Sequence, residues 1–338
     1  MEKRNVSIID STLRDGSHAV AHTFSPEQAG KIAKALSSAG VKRIEVAHGD
    51  GLAGSSCQYG FIKYPELDII KAVVANAGDA KVGSLLLPGV GTIADLEQAY
   101  DAGVRFVRIA THVTEADIAA QHIKWAKAKG MEVIAMLMMS HMATPAVILE
   151  QAQKFESYGA DIVYLADSAG AMVPEEVTTR VKILSENLSI PVGFHAHNNL
   201  GLAIANSIAG YEAGADYLDA TLTGLGASAG NAAHEVLVAV LKKMGIETGE
   251  DLYGVMDAAE DEVRPLGVNM LIDKYALSIG YAGVYGSFFL HAKRAAQRFG
   301  VDARDVLMEL GRLKTVGGQE DMILDVAHRL SLEKQGKQ

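Results

Sequence analysis

The chain has 338 residues, 49% hydrophobic, 6% aromatic and 21% charged, which supplies ample apolar side chain for a large packed core and excludes disordered and fibrous classes. Its 31 Lys+Arg stand against 41 Asp+Glu, and the resulting net charge of -10 opposes sequence-independent attraction to nucleic acid or anionic lipid. Cys57 is the single cysteine, so neither an internal disulfide nor a cysteine-rich metal cluster is available, and a reducing, cytoplasmic setting is expected. The opening MEKRNVSIID passes from charge into a β-branched run with no apolar leader and reads as a first strand. The longest apolar stretches, such as VIAMLMM from Val133, fall far short of the roughly 18 residues a membrane span needs.

In chain order, short Val/Ile/Leu-rich runs begin at Ser7, Arg43, Lys81, Arg105, Glu132, Ile162, Pro191 and Tyr217. They are apolar on both faces, as parallel strands covered by helices require. Amphipathic helices are expected between them. SPEQAGKIAKALSSAG, for instance, opens on Ser25 as N-cap with Pro26 in the first helical position and closes at Gly40. Eight strand-helix units predict a (β/α)8 TIM barrel over residues 1–265. An open doubly wound sheet is disfavoured because no G-x-G-x-x-G follows the first strand. Residues 266–338 read as an all-helical domain with helices over Asp273 to Phe299, Asp302 to Lys314 and Gln319 to Leu332, packed on the barrel or on another subunit.

A TIM barrel carries its chemistry at the C-terminal ends of its strands. The first strand ends in DSTLRDGSH and the seventh in FHAHNN. Strand alternation puts His195 and His197 on one face, and with Asp15 they make three ligands of a divalent site open to water and substrate. Hydrogen-bonded barrel-lining histidines and an ordinary Asp-Gly turn are the plainer alternative. For Arg14 and Asp15 to reach one pocket, the strand must end by about Leu13.

Arg14 stands at the barrel mouth ready for a carboxylate or oxyanion, or in a salt bridge to Asp10 or Asp15. His18, three residues after Asp15, is placed to serve as an acid or base, or is a surface loop histidine. Ser168 can hold a carboxylate or serve as a turn serine. TGLGASAGN after the last strand is either a phosphate cradle or a tight loop. His48, His112, His141 and Glu45 lie near strand ends without an assignable role. No strand carries lysine in its C-terminal half, which disfavours a Schiff-base aldolase.

DSTLRDG and HAHNN resemble the metal-dependent barrel superfamily that includes 3-hydroxy-3-methylglutaryl-CoA lyase, isopropylmalate synthase and the 4-hydroxy-2-oxovalerate aldolases. The lyases and synthases continue R-D-G-x-Q, whereas this chain has RDGSH. IEVAHGDGL, SSCQYGF, LADSAGAM, GLGASAGN, DLYGVMDAAED, GYAGVYGSF and VGGQEDMI are collinear with the aldolase family over essentially the whole length. The resemblance implies a class II pyruvate aldolase using Mn2+, with Mg2+ or Co2+ possible, that yields pyruvate and acetaldehyde. It implies Asp15, His195 and His197 as metal ligands and Arg14, His18 and Tyr285 as catalytic residues. Arg14, Ser168, His195 and Tyr285 are implied to meet substrate.

It also implies an oligomer whose helical region docks an acylating acetaldehyde dehydrogenase. Those aldolases often read HAHHN, and Asn198 here brings the run closer to the lyases and synthases, so an acyl-CoA lyase or synthase is the alternative. A barrel that chiefly scaffolds a partner is a third reading.

Overall fold

The computed structural model describes residues 4–335, so the ends of the two expected spans, residues 1–3 and 336–338, lie outside the described residues. Eight parallel strands close into a barrel in sequence order: β1 (Ser7–Leu13), β2 (Arg43–Val46), β3 (Lys81–Leu86), β4 (Phe106–His112), β5 (Glu132–Met138), β6 (Ile162–Asp167), β7 (Val192–Ala196) and β8 (Tyr217–Ala220). Around them run α1 (Pro26–Ser38), α2 (Glu66–Asn76), α3 (Ile93–Asp101), α4 (Ala120–Ala128), α5 (Pro145–Tyr158), α6 (Pro174–Asn187), α7 (Ala203–Glu212) and α8 (His234–Met244). The expected start of α1 is present in full: the Ser25 side chain accepts the Gln28 N–H, and Gln28 reaches back to the Ser25 N–H.

Alternation along each strand sorts side chains between two cores. Outward residues such as Ile8, Ile44, Val107, Val133 and Phe194 pack beneath the helices in one large apolar cluster. Inward residues including Ile9, Leu85, Phe106, Ile134 and Tyr164 fill the barrel interior.

After α9 (Leu252–Asp257) the chain widens into a π turn over Ala258–Val263, and then forms α10 (Lys274–Ala282), α11 (Phe288–Phe299), α12 (Ala303–Arg312) and α13 (Asp321–Gln335). These last four helices share their own apolar cluster, running from Ile279 to Ala327. The expectation of one helix from Asp273 to Phe299 is corrected. Gly283, at φ +65, ends α10, and α11 restarts at Phe288. α10 sits directly on the loops after β6 and β7. A Cβ on Gly280 would lie 2.9 Å from the Asn199 Cβ and 3.0 Å from the Gly170 carbonyl oxygen, so glycine is what permits the approach. Among the described residues no helix is long and apolar enough to cross a membrane.

Candidate active site and metal centre

The end of β1 decides where Arg14 and Asp15 point. Asp10 accepts the Thr12 backbone N–H at 2.9 Å and the Thr12 hydroxyl at 3.0 Å, a local alternative to the strand ladder. In register with β2, Asp10 meets Ile44 and Leu13 meets Val46, so β1 holds one extra residue in that interval. β1 stops at Leu13 and a 3-10 turn follows over Asp15–His18. The bulge and turn together let adjacent Arg14 and Asp15 face one pocket, as the sequence required.

There, Asp15 Oδ2 lies 3.3 Å from His195 Nε2 and 3.6 Å from His197 Nε2, and the two imidazole nitrogens are 3.3 Å apart. β7 ends at Ala196, short of the expected strand, so His197 stands one residue beyond it in an isolated bridge with Asn231. The two rings still converge, with centroids 5.0 Å apart. Burial would raise the Asp15 pKa, but the Arg14 guanidinium and the two imidazoles hold the carboxyl well below the usual carboxylate range. Burial, reinforced by His195 and Arg14 against the pull of Asp15, brings His197 down to about 4. An ionised carboxylate and a neutral imidazole are the forms a cation needs.

His195 is oriented from behind. Its Nδ1 lies 2.8 Å from Asp219 Oδ2 in β8, which turns Nε2 toward Asp15. Asp219 also binds the fully buried Arg108 of β4 through both terminal guanidinium nitrogens. Arg108 Nε is 3.0 Å from Glu45 Oε1, and Glu45 Oε2 is 2.8 Å from Arg14 Nε. Arg14 Nη1 returns to Asp15 Oδ2 at 3.1 Å. Charge thus alternates from Asp15 through Arg14, Glu45 and Arg108 to Asp219, and His195 closes the circuit back to Asp15. Despite burial, Arg108 and His195 pull the Asp219 pKa to about 2.

Sequence reading assigned nothing to Arg108 or Asp219 and left Glu45 without a role. The available signal was charge in the middle of otherwise apolar strands (RFVRIATH, YLDATL), which a closed barrel must turn inward and pair.

His18 lies at the rim, its Nε2 3.9 Å from Asp50 Oδ2. Its ring occupies the space that a Cβ on Gly49 would overlap. Ser168 Oγ accepts the Met139 N–H at 3.0 Å, which leaves its O–H to donate. Tyr285 sits half-buried in the break between α10 and α11, its ring 5.8 Å from Phe288. Burial, with Glu115 nearby, raises its pKa. Among the described residues its hydroxyl makes no hydrogen bond and is not tied to the other site residues.

His141, which had no expected role, fixes that break: its Nε2 lies 3.0 Å from the Gly283 carbonyl oxygen. Asn198 Oδ1 accepts the Ala203 N–H at the start of α7, 3.2 Å away.

The glycine-rich segment after β8 spends most of its amides on protein. Ala227 N–H donates to Asp15 Oδ1 at 3.3 Å and Ala229 N–H to Asn199 Oδ1 at 3.0 Å, while Gly230 packs against the Gly224 carbonyl. These contacts support the tight-loop reading over a phosphate cradle.

Comparison with known proteins agrees with this architecture. A family model described as HMGL-like matches residues 5–261, and one described as a DmpG-like communication domain matches residues 270–332. The 4-hydroxy-2-oxovalerate aldolase of Carboxydothermus hydrogenoformans is 60% identical over 97% of this chain and 98% of its own. That of Pelotomaculum thermopropionicum is 56% identical, covering 97% of each. Among solved structures, the N-terminal domain of a putative aldolase from Bacteroides vulgatus superposes with a TM-score of 0.71 at 26% identity, covering 83% of this chain and 94% of that one. With the barrel, the inward carboxylate–imidazole cluster and full-length relatives of one name in agreement, the chain belongs to the 4-hydroxy-2-oxovalerate aldolase family of carbon–carbon lyases.

Proposed function

We propose that this chain is a divalent-metal pyruvate aldolase that cleaves 4-hydroxy-2-oxovalerate to pyruvate and acetaldehyde. The observation that carries it is the convergence of Asp15 Oδ2 with the Nε2 atoms of His195 and His197, which offers three protein donors to one divalent ion. The family resemblance favours Mn2+, and two imidazoles with a carboxylate also accept Mg2+ or Co2+. Bound there, a divalent cation supplies Lewis-acid stabilisation for the negative charge that develops on the 2-oxo oxygen.

The side chains do the rest. Arg14, clamped between Glu45 and Asp15, presents a fixed positive charge to the same oxygen. Ser168 donates its O–H to the substrate carboxylate, and Tyr285 closes the pocket from the helical side. His18 removes the proton of the 4-hydroxyl. The resulting carbonyl forms as the C3–C4 bond breaks, its electron pair becomes the pyruvate enolate, and acetaldehyde leaves. Protonation of C3 then gives pyruvate.

The barrel and helical domains divide at residues 265 and 266 in this reading. The helical domain docks an acylating acetaldehyde dehydrogenase that takes the aldehyde, and the assembly is an oligomer in the cytoplasm. The match to a communication domain supports the docking. Stripping metal with a chelator and restoring ions singly, while following pyruvate release from 4-hydroxy-2-oxopentanoate, tests the activity. Release without metal, or cleavage of CoA thioesters in preference, overturns it.

A further inference from the structure

A second set of metal donors lies in the loops after β1 and β2, beside the first but sharing no residue with it. His18, His22 and Asp50 each bring a ligand atom to within 4.8 Å of the others. The His18 and His22 rings meet edge to face with centroids 5.1 Å apart, and His18 Nε2 is 3.9 Å from Asp50 Oδ2. The backbone holds this arrangement against its own preference. Ala21 and His22 take φ of 50 and 56, sparsely populated for residues with a Cβ.

His22 is buried and stacks on His48 at 3.7 Å. His48 serves as the floor and not as a donor: its Nδ1 accepts the Asp50 N–H and its Nε2 donates to the Gly60 carbonyl, each at 3.1 Å. The His18 and Asp50 side chains are 24% and 26% exposed, which leaves a route for a hydrated ion.

We propose that His18, His22 and Asp50 form a second, inhibitory site for a borderline-soft divalent ion such as Zn2+. Two imidazoles and a carboxylate are a donor set that Zn2+ accepts, with water in the fourth position. The inhibitory action rests on the reading of His18 as the base. An ion on its imidazole occupies the lone pair that must accept the 4-hydroxyl proton, so cleavage stops whichever ion holds the first site.

The test titrates the metal-free, full-length chain with Co2+, whose visible absorption reports each equivalent bound by nitrogen and oxygen donors. Two equivalents per chain are expected in the wild type, and one in His22→Gln, Asp50→Ala and Asp15→Asn. Asp50→Ala replaces a partly exposed side chain and keeps the test alive if His22→Gln fails to fold. In a second arm, Zn2+ is added to the Mn2+-loaded enzyme. Wild-type cleavage should fall by about 10²-fold or more, the contribution of a general base. Asp50→Ala, referred to its own zinc-free rate, should need at least about tenfold more Zn2+ once a ligand is lost.

A single Co2+ equivalent in the wild type, a second that survives His22→Gln and Asp50→Ala alike, or equal zinc sensitivity in wild type and Asp50→Ala overturns the proposal. A second equivalent lost on substitution, with cleavage indifferent to zinc, overturns the inhibition and removes His18 from the mechanism, while the binding site stands.

Discussion

His195 Nδ1 and Asp219 Oδ2 lie 2.8 Å apart across the seam between β7 and β8, and this contact selects which imidazole nitrogen faces Asp15. Asp219 is held in turn by Arg108, fully buried and stacked 4.6 Å over the Tyr164 ring. Asp219→Asn should therefore weaken metal binding by about 10- to 100-fold, the usual effect of losing an outer carboxylate. It should also lower stability by about 3 kcal/mol or more, because buried Arg108 keeps only Glu45 as a full counter-charge. A metal titration followed by calorimetry measures both. Wild-type affinity in the variant would show that Asp219 does not orient the ligand.

His18→Ala should reduce cleavage by about 10²–10⁴-fold, the range for a lost general base, while proton exchange at C3 of pyruvate continues. Gly49→Ala should act in the same direction while removing no ionisable group, since its Cβ would overlap and displace the His18 ring. The expected signature is a lower kcat with unchanged metal affinity at the Asp15, His195 and His197 site. Full cleavage by His18→Ala would exclude the residue as the base.

His234, at the start of α8, lies between two carboxylates, 2.8 Å from Asp10 Oδ2 and 2.8 Å from Glu250 Oε2. Burial disfavours its charge, but Glu250 and Asp10 outweigh that and raise its pKa to about 10. Being raised above the unfolded value of about 6.5, the group contributes stability that is fully present below that pH and is lost as pH climbs through about 10. Urea unfolding of the wild type should show a decline on the order of a few kcal/mol between pH 7 and pH 10. His234→Gln should flatten it, and equal slopes in the two proteins would assign the decline to other groups.

Removing metal should lower the unfolding temperature as well as activity, because Asp15, His195 and His197 converge only in the folded chain. An ion at about 100 times its dissociation constant adds roughly 2.7 kcal/mol of stability. Scanning calorimetry with and without a chelator checks this. Identical melting curves, with the chelator shown to abolish activity, would mean that the stabilising ligands lie elsewhere.

Much of the site was legible because its signals are local. RDGSH and HAHNN each occupy a handful of residues, and the alternation of His195 and His197 is readable in the run itself, although an isolated bridge to Asn231 carries it one residue past β7. The starts of β1, β2, β3, β5, β6 and β8 were also visible where charge or turn residues give way to apolar runs. Strand ends were harder. β7 and β8 stop sooner than their apolar patterns, because at the barrel mouth the chain leaves the ladder for side-chain and loop hydrogen bonds. The break at Gly283 was hidden inside a helical pattern, since what sustains it is the long-range contact to His141.

By itself the sequence determined the eightfold alternation, the closed parallel architecture and the identities of Asp15, His195 and His197 as a candidate ligand set, because period, turn chemistry and short motifs act over a few residues. Tertiary structure alone decided the circuit through Glu45, Arg108 and Asp219, whose members come from β2, β4 and β8. Which inward charges meet depends on how strands wrap around a closed cylinder, and no local propensity encodes a pairing between Arg108 and Asp219, 111 residues apart.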